Sequence, residues 1–212
     1  MSENKNQSFR KKYEKATIPI GKALAKLKIT PSMMTGLSII VACFSLYYFY
    51  MKDLLMALIV IFLAGLLDIL DGAIARATGK ASKYGTLVDN SADRVVEGIL
   101  MLGLVLGEFI YDWLGIITLL SIYLPSYIRA RGEAEIRVNA RGDGIFERKE
   151  KLGTLFIGII LVHFIGNINV FTLPLLVMNL NIKLLDLFCI IVVIGCIISS
   201  IQRLLFFSKI ET

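Results

Sequence analysis

The sequence predicts an all-α membrane protein with six transmembrane helices, preceded by an N-terminal amphipathic helix that lies at the membrane interface. Of the 212 residues, 56% are hydrophobic, and the mean hydropathy is +0.72, which is well above the range of soluble globular domains. Several apolar runs also reach the roughly 20 residues that a helix needs to cross a bilayer. Because no linker-like stretch divides the chain, we expect residues 1–33 to form a tail and juxtamembrane helix and residues 34–212 a single transmembrane domain.

The N-terminal region combines a basic face with an apolar one. Residues 1–7 are polar, and we expect them to be disordered. From Phe9 to Leu27 apolar residues recur at every third or fourth position, with lysines on the other face. This pattern favours a helix that lies on an anionic membrane surface, although an ordinary solvated helix would show a similar pattern.

The six predicted spans follow at short intervals. Thr30 can cap the first of them, and Pro31 suits its first turn, because a proline there sacrifices no helical hydrogen bond. The spans are expected at residues 34–50, 54–75, 86–107, 113–128, 152–170 and 184–207.

The basic residues predict how the chain is oriented in the membrane. All lysines and arginines except Lys52 and Lys183 lie on one side of the predicted spans. By the positive-inside rule that side is cytoplasmic. We therefore expect a multi-pass protein of the cell membrane, with both termini and any site on that side facing the cytoplasm.

Four carboxylates stand where the second and third spans meet. Asp68 and Asp71 lie near the end of one predicted span, and Asp89 and Asp93 near the start of the next. Helical spacing places each pair on one face of its helix. Four carboxylates at close range repel one another, and a divalent metal relieves that repulsion. Oxygen ligands alone indicate a hard ion such as Mg²⁺.

Ionisable residues inside spans usually mark a function, but they have other uses. A buried polar network could simply hold helices together, and a transporter could use the acids as a proton or ion relay. Neither alternative predicts the neighbours of these acids. Gly72 and Gly85 leave the backbone open to a bulky ligand, and Arg76 offers planar donors to a phosphate. The group as a whole indicates a diphosphate site.

The spacing D-x-x-D-G-x-x-A-R-x8-G-x-x-x-D-x-x-x-D occupies residues 68–93. It resembles the signature of the CDP-alcohol phosphotransferases at every specified position. The resemblance implies an enzyme that transfers a phosphatidyl group from a CDP-linked lipid to an alcohol and releases CMP. It also implies two Mg²⁺ or Mn²⁺ ions held by Asp68, Asp71, Asp89 and Asp93, with Asp93 also acting as the general base.

The same resemblance implies the residues that contact the CDP-lipid. Family members often carry P-N-x-x-T at the first span, where Pro31 and Thr35 fit but Ser32 replaces the asparagine. The implied contacts are Pro31, Thr35, Asp68, Gly72, Ala75, Arg76, Ser82 and Gly85.

Two further segments bear on the acceptor alcohol. The runs S-Y-x-R-A-R-x-E and G-I-x-E-R look like the branch that makes phosphatidylinositol phosphate or archaetidylinositol phosphate from inositol 1-phosphate. The resemblance implies that the acceptor phosphate is held by Ser126, Arg129, Arg131, Arg148 and Arg203. Arginines here could equally be positive-inside anchors. Arg94–Gly98 does not match the serine-using branch, and Asn90 stands where the glycerol-phosphate branch commonly has proline.

The expected partners follow from this resemblance. They are CDP-diacylglycerol or CDP-archaeol, inositol 1-phosphate or another phosphorylated alcohol, the lipid bilayer and, by analogy with the family, a second copy of the chain. No nucleic acid is expected. Glycerol 3-phosphate remains the alternative acceptor, and a metal- or proton-coupled transporter remains the alternative from another class.

Overall fold

The computed structural model describes residues 17–138, 144–174 and 179–211. Residues 17–26 form the described part of helix α1, whereas residues 9–16 of the predicted amphipathic segment lie outside the described ranges. The elements that follow are α2 (Pro31–Tyr50), α3 (Leu54–Ala77), α4 (Lys83–Leu106), α5 (Asp112–Ile136), α6 (Arg148–Ile165), β1 (Asn169–Pro174), β2 (Asn179–Lys183) and α7 (Leu184–Glu211).

The long helices α2–α7 correspond in order to the six predicted spans, with differences at several helix ends. Among the described helices, α2, α3, α5 and α7 are long and apolar enough to cross a membrane. In α4 the charged residues lie in the first two thirds of the helix, and α6 begins with the charged run R-K-E-K. Many large apolar side chains are exposed, among them Phe62, Ile116 and Leu120, which suits contact with lipid. The helical membrane class is confirmed.

The predicted end of the fifth span was wrong. Helix α6 ends at Ile165 instead of continuing to Val170, because Gly166 adopts a positive φ of 83° and its N–H donates to the carbonyl of Val162. A two-stranded antiparallel sheet follows, in which β1 pairs with β2. Glycine tolerates this backbone conformation better than any other residue, which is why the helix stops there despite the apolar residues beyond it.

The chain divides into two compact units. The first comprises Met1–Tyr47 and Ile59–Leu100, and the second comprises Tyr48–Leu58 and Met101–Thr212. In the first unit, small buried residues such as Ala64 and Ala73 let the helices approach closely. One close approach is at Gly21 of α1, where a Cβ would lie 2.6 Å from the carbonyl carbon of Ala73 and 3.0 Å from the amide nitrogen of Ile74.

The second unit packs α5 and α6 against α7. Its buried residues include Leu155, Ile159, Leu185, Cys189 and Val192. The carboxylate of Asp186, in the first turn of α7, accepts hydrogen bonds from the N–H groups of Tyr111 (3.3 Å) and Lys183 (3.0 Å).

One exposed ion pair also belongs to the second unit. The Lys52 ammonium donates to Oε2 of Glu108 at 2.7 Å, and this hydrogen bond and charge hold the pKa of Glu108 below its ordinary value. Together, the Asp186 hydrogen bonds and the Lys52–Glu108 pair fasten the loops that connect these helices.

Candidate active site

Three of the four predicted metal ligands lie together in the first unit. Asp68 and Asp71 project from α3 and Asp89 from α4, and each offers a carboxylate oxygen within 4.8 Å of the others. Asp71 is 6% exposed, while Asp68 and Asp89 are half-buried. Three carboxylates this close, with no soft ligand among them, form a donor set that fits a hard divalent cation.

Asp93 lies one helical turn beyond Asp89 and is 7% exposed. Among the described residues, the close group contains Asp68, Asp71 and Asp89 without Asp93. Steps of four place Asp93 on the same face of α4 as Asp89. The structure therefore separates a compact group of three acids from a fourth acid on the adjacent turn.

Glu97 continues this series by a further step of four, although it was not among the predicted site residues. Its carboxylate is 2% exposed and pairs with Nη1 of Arg94 at 2.5 Å. The regular step from Asp89 to Asp93 was a signal that could have identified it. The pair places a buried, compensated charge on the turn that follows Asp93.

Thr35 contacts a predicted metal ligand directly. Its buried hydroxyl donates to Oδ2 of Asp71 at 2.5 Å and lies 3.1 Å from the carbonyl of Pro31. Pro31 is the first residue of α2, and Thr30 accepts a hydrogen bond from the Met33 N–H at 3.3 Å, as a helix cap does. The start of α2 therefore holds the Asp71 carboxylate in place.

Gly72 and Arg76 lie against each other on the last turns of α3. A Cβ at position 72 would lie 3.0 Å from Nη1 of Arg76, so the guanidinium folds back over the open backbone. Arg76 itself is exposed, whereas Ala75 is half-buried. This places a planar cation at the edge of the acidic group, where a diphosphate could engage it.

Ser82 and Gly85 form the start of α4. The Gly85 N–H donates to the Ser82 hydroxyl at 3.0 Å, and the Thr86 N–H donates to the Ser82 carbonyl at 3.1 Å. Ser82 therefore acts as the N-cap of this helix. The capped helix begins two turns before Asp89, and the positive end of its dipole favours anions nearby.

The predicted acceptor residues belong to the second unit. On α5, Arg129 pairs with Glu133 at 3.2 Å and Arg131 pairs with Glu135 at 2.6 Å. Ser126 is half-buried, while the Arg131 side chain is 66% exposed. The two arginines thus differ in solvent exposure, since the exposed fraction of the Arg129 side chain is half that of Arg131.

Arg203 of α7 is 4% exposed, and its guanidinium donates to the carbonyl of Pro125 on α5. The segment that precedes α6 lies on α7 beside it. The Phe146 N–H donates to Ser199 at 2.9 Å, and a Cβ at Gly144 would lie 3.2 Å from Nε of Arg203. Arg148 begins α6 just after this segment.

The structure therefore brings Arg203 to the α5 turn that carries Ser126. It also brings the G-I-x-E-R segment to Arg203. Arg141, a basic residue of the same loop, lies outside the described residues.

The sequence model that defines the CDP-alcohol phosphatidyltransferase family matches residues 28–197 of this chain. The chain belongs to this family. Over 149 residues it is 36% identical to the archaetidylinositol phosphate synthase of Pyrococcus horikoshii, a match that covers 70% of this chain and 79% of that protein. It is 32% identical over 155 residues to the phosphatidylinositol phosphate synthase of Mycobacterium tuberculosis, covering 66% of this chain and 67% of that protein.

Solved structures of the M. tuberculosis enzyme share the fold of this CDP-alcohol phosphatidyltransferase. The structure with CDP-DAG bound is 27% identical and has a TM-score of 0.74, covering 90% of this chain and 92% of that chain. The structure in complex with manganese and citrate has the same TM-score at 26% identity, covering 90% of this chain and 88% of that chain. This protein is thus a multi-pass membrane enzyme of the family, which sets the transporter alternative aside.

Proposed function

We propose that this CDP-alcohol phosphatidyltransferase transfers the phosphatidyl or archaetidyl group of a CDP-linked lipid to inositol 1-phosphate. The observation that carries the proposal is that the chain contains both an acidic group in its first unit (Asp68, Asp71 and Asp89) and a group of arginines in its second unit. The first suits a metal-bound diphosphate, and the second suits a phosphorylated acceptor. The similar proteins named above are by name synthases of archaetidylinositol phosphate and phosphatidylinositol phosphate, which supports the same branch here.

For the cofactor, we propose two Mg²⁺ or Mn²⁺ ions with Asp68, Asp71, Asp89 and Asp93 as ligands. The three clustered carboxylates fit such an ion by their chemistry, and the manganese complex of the similar M. tuberculosis enzyme supports this. When bound, divalent ions neutralise the diphosphate and the charge that develops on the departing CMP phosphate. Asp71 would be held ready for its ion by the hydroxyl of Thr35.

The proton transfer would be carried out by a residue of this chain. Asp93 accepts the proton of the acceptor hydroxyl as the oxygen of that hydroxyl bonds to the lipid-side phosphorus. The bond from this phosphorus to the bridging oxygen breaks, and CMP leaves. Asp93 suits the role of base because it is buried on the same helix face as Asp89 but stands outside the close acidic group.

The donor would be bound by residues around the acidic group. Arg76 would hold a phosphate oxygen above the open backbone of Gly72, and Ala75 and Gly85 would border the nucleotide. Ser82, Pro31 and Thr35 would support this surface through the helix starts that they form.

The acceptor phosphate would be bound by a separate set of residues in the second unit. Ser126, Arg129 and Arg148 would hold it, with Arg131 and Arg203 as further contacts. The guanidinium of Arg203 donates a hydrogen bond to the Pro125 carbonyl of α5. We therefore propose that Arg203 also stabilises the shape of this pocket.

We also propose the orientation and the division of the chain. Because the basic residues cluster on one side of the spans, that side would face the cytoplasm. Residues 1–33 would lie along the inner surface of the cell membrane, and residues 34–212 would form the transmembrane enzyme. The CDP-lipid could then keep its chains in the bilayer while its head group reaches the acids.

The test is CMP release by the purified protein with CDP-diacylglycerol or CDP-archaeol and Mg²⁺. The acceptors to compare are inositol 1-phosphate, glycerol 3-phosphate, serine and free inositol. We expect release with inositol 1-phosphate, and its loss in Arg129→Gln but not in Lys149→Gln, which alters an exposed cation beside Arg148. Release with glycerol 3-phosphate alone would contradict the acceptor assignment and leave the metal site intact.

A further inference from the structure

Helix α5 contains a proline in its interior. Pro125 is buried and lies in the middle of the helix Asp112–Ile136. A proline has no N–H, so the carbonyl of Ser121, four residues earlier, loses its usual helical partner, and the ring crowds that carbonyl. Membrane helices tolerate such a break where neighbouring groups satisfy the freed backbone. Pro125 is thus a point at which α5 can change direction.

Two buried cations contact the backbone of α5 at this point. Nζ of Lys151, on α6, donates to the carbonyl of Ile122 at 3.0 Å. The guanidinium of Arg203, on α7, donates to the carbonyl of Pro125. Lys151 is 3% exposed and Arg203 is 4% exposed. The two carbonyls are three residues apart, so they lie on the same face of α5.

A buried lysine is costly where a methionine or leucine would pack the same helices together. Its ammonium is directed to a backbone carbonyl one turn before Ser126, and the following turn carries Arg129. These are the first residues of the proposed acceptor pocket. The position of Lys151 therefore couples α6 to the segment of α5 that would face the acceptor phosphate.

We propose that Lys151 is a positioning residue for the acceptor. Through the Ile122 carbonyl it fixes the direction that α5 takes beyond Pro125, and so the placement of Ser126 and Arg129. The inference rests on the proposed function, because it assumes that these two residues hold the acceptor phosphate. It assigns no contact between Lys151 and either substrate.

The test compares Lys151→Met with Lys151→Arg, which keeps a donor. Lys149→Met is the matched control, since Lys149 is an exposed lysine on the same helix. Loss of the charged hydrogen bond to the Ile122 carbonyl should raise the KM for inositol 1-phosphate about tenfold. The KM for the CDP-lipid should stay within about twofold, and Lys151→Arg should recover most of the acceptor KM. The control should match the wild type.

Hydrogen exchange gives a second readout that needs no substrate. In Lys151→Met the amides of residues 126–130 should exchange about tenfold faster, while those of residues 114–120 stay unchanged. If the wild type releases no CMP with inositol 1-phosphate, the proposed function fails, and this exchange comparison still decides the role of Lys151.

Three results would overturn the inference. The first is a folded Lys151→Met enzyme with an unchanged acceptor KM, and the second is uniform exchange along α5. If Lys151→Met does not fold, Lys151→Gln takes its place. Failure of both variants to fold would be the third result, because Lys151 would then hold the whole helix bundle together.

Discussion

The hydroxyl of Thr35 in α2 donates a 2.5 Å hydrogen bond to Oδ2 of Asp71 in α3. Both side chains are buried, with exposed fractions of 5% and 6%. A hydrogen bond of this kind restricts a carboxylate to one rotamer and leaves its other oxygen for a metal. The first span thus contributes to the acidic group without providing a ligand.

Thr35→Val removes this hydrogen bond and keeps the shape of the side chain. We expect metal affinity to fall by roughly 10-fold or more, as it does when groups behind metal ligands are lost. Titration with Mn²⁺, followed by electron paramagnetic resonance, measures the change. Ser38→Ala is the control, because Ser38 is buried on the same helix and donates only to the Thr35 carbonyl among the contacts seen here. Equal Mn²⁺ affinity in Thr35→Val and the wild type would contradict the prediction.

Asp93→Asn should separate metal binding from catalysis. Asp68, Asp71 and Asp89 remain in place in this variant, so binding of at least one Mn²⁺ should persist. CMP release should fall by roughly 10²–10⁴, the usual contribution of a general base. The control Asp112→Asn changes an exposed carboxylate at the start of α5 and should keep full activity. Wild-type turnover in Asp93→Asn would remove Asp93 from the proposed mechanism.

How much of this site could be predicted depended on which contacts lie within one helix. Asp68 and Asp71 follow from spacing along α3, and Asp89 and Asp93 from spacing along α4. The family resemblance implied that Thr35 contacts the CDP-lipid, but the spacing did not predict the hydrogen bond from its hydroxyl to Asp71. A pattern along one helix does not state which residue of a neighbouring helix faces it.

Lys151 and the sheet after α6 were missed for other reasons. Lys151 lies in a run of basic residues that the positive-inside rule already explains. The sequence pattern therefore did not indicate that its side chain is buried. The strands follow an apolar run that looks like the end of a span. The helix ends early at Gly166, where the backbone adopts a positive φ.

Gly21→Ala should disturb the contact between α1 and α3. The added Cβ would lie 2.6 Å from the carbonyl carbon of Ala73, and backbone atoms cannot move aside as a flexible side chain can. We expect a loss of about 1–3 kcal/mol in stability, the usual cost of overpacking. Thermal unfolding in detergent measures it.

The matched control is Gly36→Ala in α2. A Cβ at Gly36 meets no atom within 4 Å, and alanine favours a helix interior over glycine by roughly 0.5–1 kcal/mol. That variant should therefore be as stable as the wild type or slightly more so. If both variants had the same melting temperature, the close approach of α1 to α3 would be in doubt.

Glu97→Gln breaks the ion pair with Arg94. Because Glu97 is 2% exposed and the Arg94 side chain 27% exposed, the variant leaves a half-buried cation without its carboxylate. We expect a loss of about 3 kcal/mol, near the lower end for a broken buried pair. Chemical unfolding of the purified protein measures this loss.

Glu135→Gln breaks the exposed pair with Arg131 on α5, whose side chains are 59% and 66% exposed. It should change stability by less than about 1 kcal/mol. Equal losses in the two glutamate variants would mean that burial does not decide the strength of the Arg94–Glu97 pair.

The cations at Pro125 also have a consequence for biosynthesis. Helix α5 leaves the ribosome before α6 and α7, so the carbonyls of Ile122 and Pro125 meet the bilayer before Lys151 and Arg203 have been synthesised. The first unit needs neither of these later helices for its three clustered acids. We therefore expect that a nascent chain halted after α5 binds metal while the direction of α5 beyond Pro125 is not yet fixed. The residues proposed to bind the CDP-lipid would then be in place before those proposed to bind the acceptor.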